Sequence, residues 1–453
     1  MFRMPSPLKP LAGARHVRIL GTIALVLAVA LAVADGCASY STDATTALLG
    51  PFNNSTDPTN GGASYIGSAA CSACHSDVAE LTRVHGHSQA LKASNGLPPE
   101  YPPEGTRAGV PNPPAGRTYN DIGYIIGGYT KGAFFVGADG FVLTTGVTGV
   151  NTQWNLDFPP NGTTAGFVAF KASQTAPEPY RFECFRCHVV GAQPQDPAVS
   201  QDGRPGILGT WAEPGVKCEA CHGPGSNHAP DPWARQMFVD STNRTCGNCH
   251  VDGNDSNVIA AANGYISPMT QVAELLASGG HSGFACGVCH DVHASTTYDP
   301  ARGIRNQCTA CHPDQNLAFH TGFVLTRGSY SEPLGCTSCH MTYAGLQNSV
   351  GGPAAVGTLG GRMGDVRSHI FRIDTAHATF DQMFSADGSH VLKDSAGRAA
   401  VTPDFVCLRC HNGEGSAFII SAQGAATIAD GIHDREATGK PAIPDSMNLS
   451  TPP

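Results

Sequence analysis

Sixteen of the seventeen cysteines in this chain stand in eight repeats of Cys-x-x-Cys-His. In chain order the first four are Cys71-Ser-Ala-Cys74-His75, Cys184-Phe-Arg-Cys187-His188, Cys218-Glu-Ala-Cys221-His222 and Cys246-Gly-Asn-Cys249-His250. The fifth to eighth are Cys286-Gly-Val-Cys289-His290, Cys308-Thr-Ala-Cys311-His312, Cys336-Thr-Ser-Cys339-His340 and Cys407-Leu-Arg-Cys410-His411. Two thiols at this spacing add across the two vinyl groups of one porphyrin, and the next residue's imidazole then lies over the iron. The predicted chemistry is covalent attachment of eight haem c groups, with one-electron transfer between them. His75, His188, His222, His250, His290, His312, His340 and His411 are the predicted proximal ligands.

Two rival readings of the cysteines fail on the histidines. A disulfide framework suits an exported chain but gives no reason for histidine after every second cysteine. Zinc is the stronger rival, because Cys286-x-x-Cys289 followed by Cys308-x-x-Cys311 has a zinc-ribbon spacing. Histidine makes up only 19 of the 453 residues, so eight coincidences in succession are negligible.

What each iron can do depends on its other face. A second histidine closes the site for electron transfer, methionine raises the potential, and an open face admits a substrate. Setting aside the proximal residues and His16 near the N-terminus leaves ten histidines: His85, His87, His228, His281, His293, His320, His369, His377, His390 and His433. Ten suffice for ligation by two histidines at every iron. His87 is favoured over its neighbour His85. His228 sits on a turn after His222 that returns it to the haem cluster, and His293 is too close to His290 to serve the same iron. His281, His320, His369 and His433 lie in segments otherwise free of histidine. The eighth distal ligand comes from His85, His377 or His390. No repeat ends in Cys-x-x-Cys-Lys, a variant seen at the catalytic haem of several multihaem reductases, which argues for a carrier and leaves no catalytic residue to name.

The elements that must position these groups are short. Charged residues are 14% of the chain, while Gly numbers 54 and Pro 33, a composition that favours loops over long helices or a large aliphatic core. The predicted fold is mostly irregular and helical, with short helices and loops wrapped around a closely packed haem chain and a small β-hairpin in the N-terminal part. That hairpin is Ala133-Phe-Phe-Val-Gly-Ala-Asp-Gly-Phe-Val-Leu-Thr-Thr, turning at Asp139-Gly140. Phe134, Phe135, Phe141, Trp154 and Phe158 should form a small core, and residues 270–278 a helix. A formal charge of −9 gives no basic surface for nucleic acid.

Residues 1–34 read as a signal peptide, with a basic start, an apolar run over 19–33 and Ala32-Val33-Ala34 at a cleavage site. The run is short for a membrane span. Cys37, the one cysteine outside the repeats, is either a lipid-modified N-terminus or a leftover thiol; a lipid there is the only membrane attachment the chain suggests. Residues 35–64 read as a flexible polar tether. Residues 65–183 form an N-terminal region with the first haem and a Pro/Gly-rich insertion. Residues 184–345 form a dense six-haem core, and 346–453 a C-terminal region with the eighth haem.

Several longer stretches carry a family resemblance. They are Tyr65-Ile-Gly-Ser-Ala-Ala-Cys71, Ile125-Ile-Gly-Gly-Tyr-Thr-Lys131, Gly215-Val-Lys-Cys-Glu-Ala-Cys-His-Gly-Pro-Gly225, Cys289-His-Asp-Val-His293, Cys339-His-Met341 and Gly364-Asp-Val-Arg-Ser-His-Ile-Phe-Arg-Ile373. Together they resemble exported bacterial octahaem cytochromes of a superfamily that includes nitrifier tetrahaem carriers and hydroxylamine oxidoreductase, over most of residues 65–433. The resemblance implies His228, His293, His369 and His433 as distal ligands. One departure stands out. Relatives often carry a histidine pair where this chain has Ile266-Ser-Pro-Met-Thr-Gln271, so one haem takes its ligand elsewhere, from His377, His390 or Met269, or lacks one.

The expected function is electron transfer in the periplasm or at the outer cell surface, passing electrons between other cytochromes or redox proteins and a soluble or insoluble terminal acceptor such as a metal or mineral. Two alternatives stand beside it. One is a reductase or oxidoreductase of a small nitrogen or sulfur oxyanion at an open haem; the other is a subunit of a conducting filament.

Overall fold

The computed structural model describes residues 63–434, apart from 195–198, 234–236, 252–254, 316, 318–319, 328–329, 348–354 and 415–416. The expected signal peptide, Cys37, most of the expected tether and the chain beyond residue 434 lie outside the described residues.

Among the described residues eleven strands precede the third Cys-x-x-Cys-His repeat. They are β1 (Leu91–Ala93), β2 (Ile122–Gly127), β3 (Ala133–Gly137), β4 (Phe141–Val142), β5 (Gln153–Asn155) and β6 (Gly166–Val168). They continue with β7 (Glu178–Arg181), β8 (Val189–Val190), β9 (Gln193–Pro194), β10 (Ile207–Thr210) and β11 (Glu213–Pro214). Nine of them form one sheet in the order β1-β2-β3-β4-β7-β10-β9, with β5 on β3 and β6 on β5; β8 pairs with β11 separately. The expected hairpin is present as β3 and β4, with Gly140 at φ 89° in the turn, where an added Cβ would meet Ile207 at 2.9 Å. It is only one step of this larger sheet, so a mostly irregular and helical fold understates the β content. Between the first and second repeats the chain holds no further Cys-x-x-Cys-His, and apolar faces of strands supply the core there.

A register shift between Ile122 and Tyr124 explains how one strand feeds two cores. Beyond it Tyr124 and Ile126 join Leu91, Val136, Tyr180, Phe185, Val189, Ile207 and Trp211 on one face. Ile122, on the near side of the shift, falls with Ile125, Ala133 and Phe135 on the other, against Trp154 and Phe167. Phe185 lies inside the second repeat, so the first face carries that haem site directly. A third core of Ile259, Tyr265, Ile266, Ala273, Ile370, Phe384 and Phe405 packs against Cys339 and Cys407 of the last two repeats.

Helices are short throughout the described residues. The longest near a repeat, Ser76–Val84, links the first repeat to His85. The helix expected over 270–278 covers Gln271–Leu276, with Thr270 as its cap residue. Among the described residues no helix is long and apolar enough to cross a membrane.

Candidate haem sites

Each repeat closes a single helical turn. The histidine N–H reaches back to the first cysteine's carbonyl in the first, fourth, fifth, sixth and eighth repeats, at 2.9 to 3.0 Å. The second repeat is tighter: His188 donates instead to the Phe185 carbonyl at 2.8 Å.

Seven of the eight rings predicted to be proximal face a second imidazole. Ring centres are 6.2 Å apart for His75 and His228, 6.1 Å for His222 and His293, and 5.9 Å for His250 and His87. They are 6.2 Å apart for His290 and His369, 5.8 Å for His312 and His281, 5.8 Å for His340 and His433, and 6.1 Å for His411 and His320. An imidazole–metal bond is about 2 Å and the ring centre lies about 1 Å further, so two rings on opposite faces of one metal ion sit about 6 Å apart. The observed spacing fits that arrangement, and each partner is one of the seven histidines singled out by their segments. What sequence left open is the pairing. His293 follows the fifth repeat yet faces His222 of the third, and His228 follows the third yet faces the first.

Among the described residues no histidine faces His188. Its Nδ1 lies 3.2 Å from the Ala90 carbonyl at the start of β1, and it makes no ring contact. The three remaining histidines are elsewhere. His85 stacks 4.4 Å from His87, His377 binds Asp374 at 2.9 Å on the surface, and His390 sits 3.1 Å from Ser389 Oγ.

Further groups test the fit to haem. His222, His340 and His411 hold backbone carbonyls of Phe238, Phe371 and Phe418 with Nδ1 at 2.7, 2.8 and 2.7 Å, which leaves Nε2 for iron. Burial pushes His250, His281 and His340 below the ordinary histidine range and, with the nearby His290 and His250, holds His369 at about 3. Ligation needs that neutral form. Arg409, 1% exposed between the last two repeats, has Nε and Nη1 buried without a protein acceptor, donors suited to a haem carboxylate. The residues present therefore fit covalently held haem. Among the described residues no three or more His, Cys, Asp or Glu side chains converge as a metal cage of the zinc type.

The attachment cysteines also neighbour one another. Cys71 lies beside Cys218, Cys221 beside Cys246, and Cys249 beside both Cys187 and Cys221. Cys246 lies beside Cys286, Cys308 beside Cys289 and Cys336, and Cys407 beside Cys339. The first and last repeats, far from the others in sequence, are thus drawn alongside the third and seventh.

Buried carboxylates that sequence reading missed hold the repeats in place. Glu219, inside the third repeat and 1% exposed, accepts from the backbone N–H groups of Ile66, Gly67 and Gly225 at 3.0, 2.8 and 2.8 Å. It thereby clasps the segment entering the first repeat to the turn that carries His228. Glu219→Ala strands these donors, and we expect a loss of about 2 kcal/mol in chemical denaturation, with Glu219→Gln losing less. Glu274 accepts from Ser368 Oγ at 2.8 Å and from the His369 N–H at 2.7 Å, fixing the backbone that carries His369.

Comparison with known proteins gives a partial likeness. A family model described as cytochrome c554 and c-prime matches residues 168–223, which hold the second and third repeats. No curated protein matches the chain. The outer cell wall cytochrome OcwA is 18% identical, with a TM-score of 0.47 over 83% of this chain and 88% of that one. The octahaem sulfite reductase MccA of Wolinella succinogenes is 16% identical, with a TM-score of 0.48 over 90% of this chain and 71% of that one. An undecahaem cytochrome from the S-layer of Carboxydothermus ferrireducens is 16% identical, with a TM-score of 0.42 over 84% of this chain and 63% of that one. The chain is thus similar, over its second and third repeats, to the cytochrome c554 and c-prime model.

Proposed function

We propose that the protein is an exported octahaem c-type cytochrome that moves single electrons along a row of closely spaced haems. The observation that carries this reading is the set of seven facing imidazole pairs at 5.8 to 6.2 Å. Ligation by two histidines closes both faces of an iron, so electrons are the only thing such a site exchanges. The partners are other redox proteins and a terminal acceptor outside the cytoplasm, with subunit stacking into a filament as one way of extending the row. Cys37, if acylated, ties the chain to a membrane surface.

A specific observation favours a second activity at one site. His188 has no facing histidine among the described residues, so its haem presents an open face to a small ligand. Reduction of a small nitrogen or sulfur oxyanion there would draw its electrons from the other seven haems.

Electron paramagnetic resonance of the oxidised protein tests both. Seven low-spin haems and one high-spin haem that responds to cyanide, nitrite or CO are expected. Nearly parallel rings at His222/His293 and His340/His433, 9° and 19° apart, should give rhombic low-spin signals; the 79° crossing at His411/His320 should give a strongly anisotropic one. Eight low-spin haems without ligand response would remove the open site, and several high-spin haems would remove the paired ligation.

A further inference from the structure

We infer that Arg409 is the receptor of an anion site between the seventh and eighth repeats, one that takes a carboxylate on donors no protein group satisfies. Two sources can supply it, the side chain of a haem attached at either repeat or a small free acid. The inference rests on the reading above, in which haem is attached at both repeats.

Its first support is the set of unmet donors. Arg409 stands inside Cys407-Leu-Arg-Cys410 and is 1% exposed. Its Nε and Nη1 are buried with no hydrogen-bond partner among the described residues. Those two nitrogens carry most of the donors of a guanidinium. Its Nη2 lies 3.5 Å from Glu332 Oε2, longer than the roughly 2.7 to 2.9 Å of a bond between charged partners. The adjacent Cys410 sulfur becomes a thioether on haem attachment, and such a sulfur is a weak acceptor.

The second support is local charge. Arg367 Nη2 meets the other oxygen of Glu332 at 3.1 Å, so one acid serves two guanidinium groups. Arg327 Nη2 donates to the Arg409 carbonyl at 2.9 Å, and its Nε lies 3.4 Å from Glu414. Three cations therefore share two carboxylates, which leaves one positive charge over within a chain of formal charge −9. Arg367 and Arg409 also lie against one ring, 4.3 and 5.9 Å from the centre of Tyr343. A buried cation with unmet donors is costly, and a planar carboxylate is the group that an arginine fork fits.

The third support is position. Ser338, inside the seventh repeat, donates to Glu332 Oε1 at 2.8 Å. Thr342, two residues past His340, donates to the carbonyl of Phe405, two residues before Cys407, at 2.6 Å. Cys339 and Cys407 pack against the same apolar core. Arg409 is thus buried where the two attachment segments meet. It is a positioning residue, since it lies on no ligand ring, and its fixed positive charge favours the reduced form of the nearer site.

The test uses the full, haem-loaded protein with ¹³C in the haem carboxylates, and the variants Arg409→Leu and Arg409→Lys. In redox-difference infrared spectra of dialysed wild type, one labelled carboxylate band should stand apart from the rest. It should rejoin them in both variants, because lysine keeps the charge but not the fork. In Arg409→Leu one low-spin haem should hold about tenfold less reduced form at a given potential, equal to about 59 mV for one electron. Arg409→Lys should keep that ratio within about twofold, so the wild-type band and the lysine variant decide the matter even where the leucine variant does not fold. Labelled bands that coincide in wild type, together with an acetate-induced rise in Tm that Arg409→Lys lacks, support the site with a free acid as its source. Coincident bands with no such response to acetate overturn the inference. A protein whose intact mass lacks haem at either repeat overturns the parent reading, while the acetate response still reports on Arg409.

Discussion

Replacing His293 with alanine should convert one further haem of the oxidised protein to the high-spin state. His293 lies next to the fifth repeat, but its ring stacks 6.1 Å from His222 of the third, with planes only 9° apart. Removing it opens a face of the third site rather than of the fifth, whose repeat His293 follows in the chain. The expected change is large because loss of one imidazole moves an iron from two strong axial donors to one. One full equivalent of high-spin signal should appear beside the one expected from the His188 site. Alanine at His377 or His390 should change nothing in the spectrum. Those rings hold Asp374 and Ser389 at the surface and face no other imidazole. A variant spectrum with no added high-spin haem would show that the His222 iron takes its second ligand elsewhere. His85→Ala is a further control. His85 accepts from the His87 N–H at 3.0 Å, so its loss should disturb the His87 loop without opening a site.

How much of this was legible in the sequence follows from the range of each interaction. The proposed attachment and proximal ligation are chemistry within five consecutive residues, so Cys71 to His75 announces itself as a candidate site. The facing rings are recognisable as a set because a histidine in a His-poor segment stands out, as His281 and His433 do. Their pairing is a property of the folded chain. Nothing local says that His320 meets His411 rather than His340. The nine-stranded sheet was hidden for a related reason. Five of its members run to two or three residues, as in β1, β4 and β9, too short for an alternating pattern to show. Glu219 was overlooked because its partners at Ile66 and Gly67 lie 153 and 152 positions away and are backbone groups, which leave no mark on residue type. Gln271 sits in the stretch that drew attention for lacking histidines, but what an amide there would hold could be seen only once His250 was placed beside it.

Glu332→Gln should be among the most damaging substitutions that touches no haem ligand. Arg409, in the last repeat, is 1% exposed, and its Nη2 lies 3.5 Å from Glu332 Oε2. The same carboxylate accepts from Arg367 at 3.1 Å, from the Tyr330 hydroxyl at 2.6 Å and from Ser338 Oγ at 2.8 Å. Ser338 belongs to the seventh repeat, so this one acid ties the last two repeats together. Burial pushes the Glu332 carboxyl up, but the Arg409 guanidinium and these donors outweigh it and hold it at about 2. Taking away the charge removes the protein carboxylate paired with Arg409, and removing one member of such a pair costs about 3 to 5 kcal/mol. Denaturant titration should show that loss in Glu332→Gln. The double variant Glu332→Gln, Arg409→Leu should recover part of it, because the stranded cation is gone. The pH dependence carries the same signature. A folded-state value depressed below the ordinary glutamate value of about 4.3 contributes stability that is fully present above that pH. It is lost as pH falls from there toward about 2, where the folded carboxyl takes up its proton. The wild-type protein should therefore lose stability across that window, and Glu332→Gln, which has no proton to take up there, should lose correspondingly less. Equal acid slopes in the two proteins would mean that Arg409 is balanced by another acid, with the carboxylates of the neighbouring haems the first to examine.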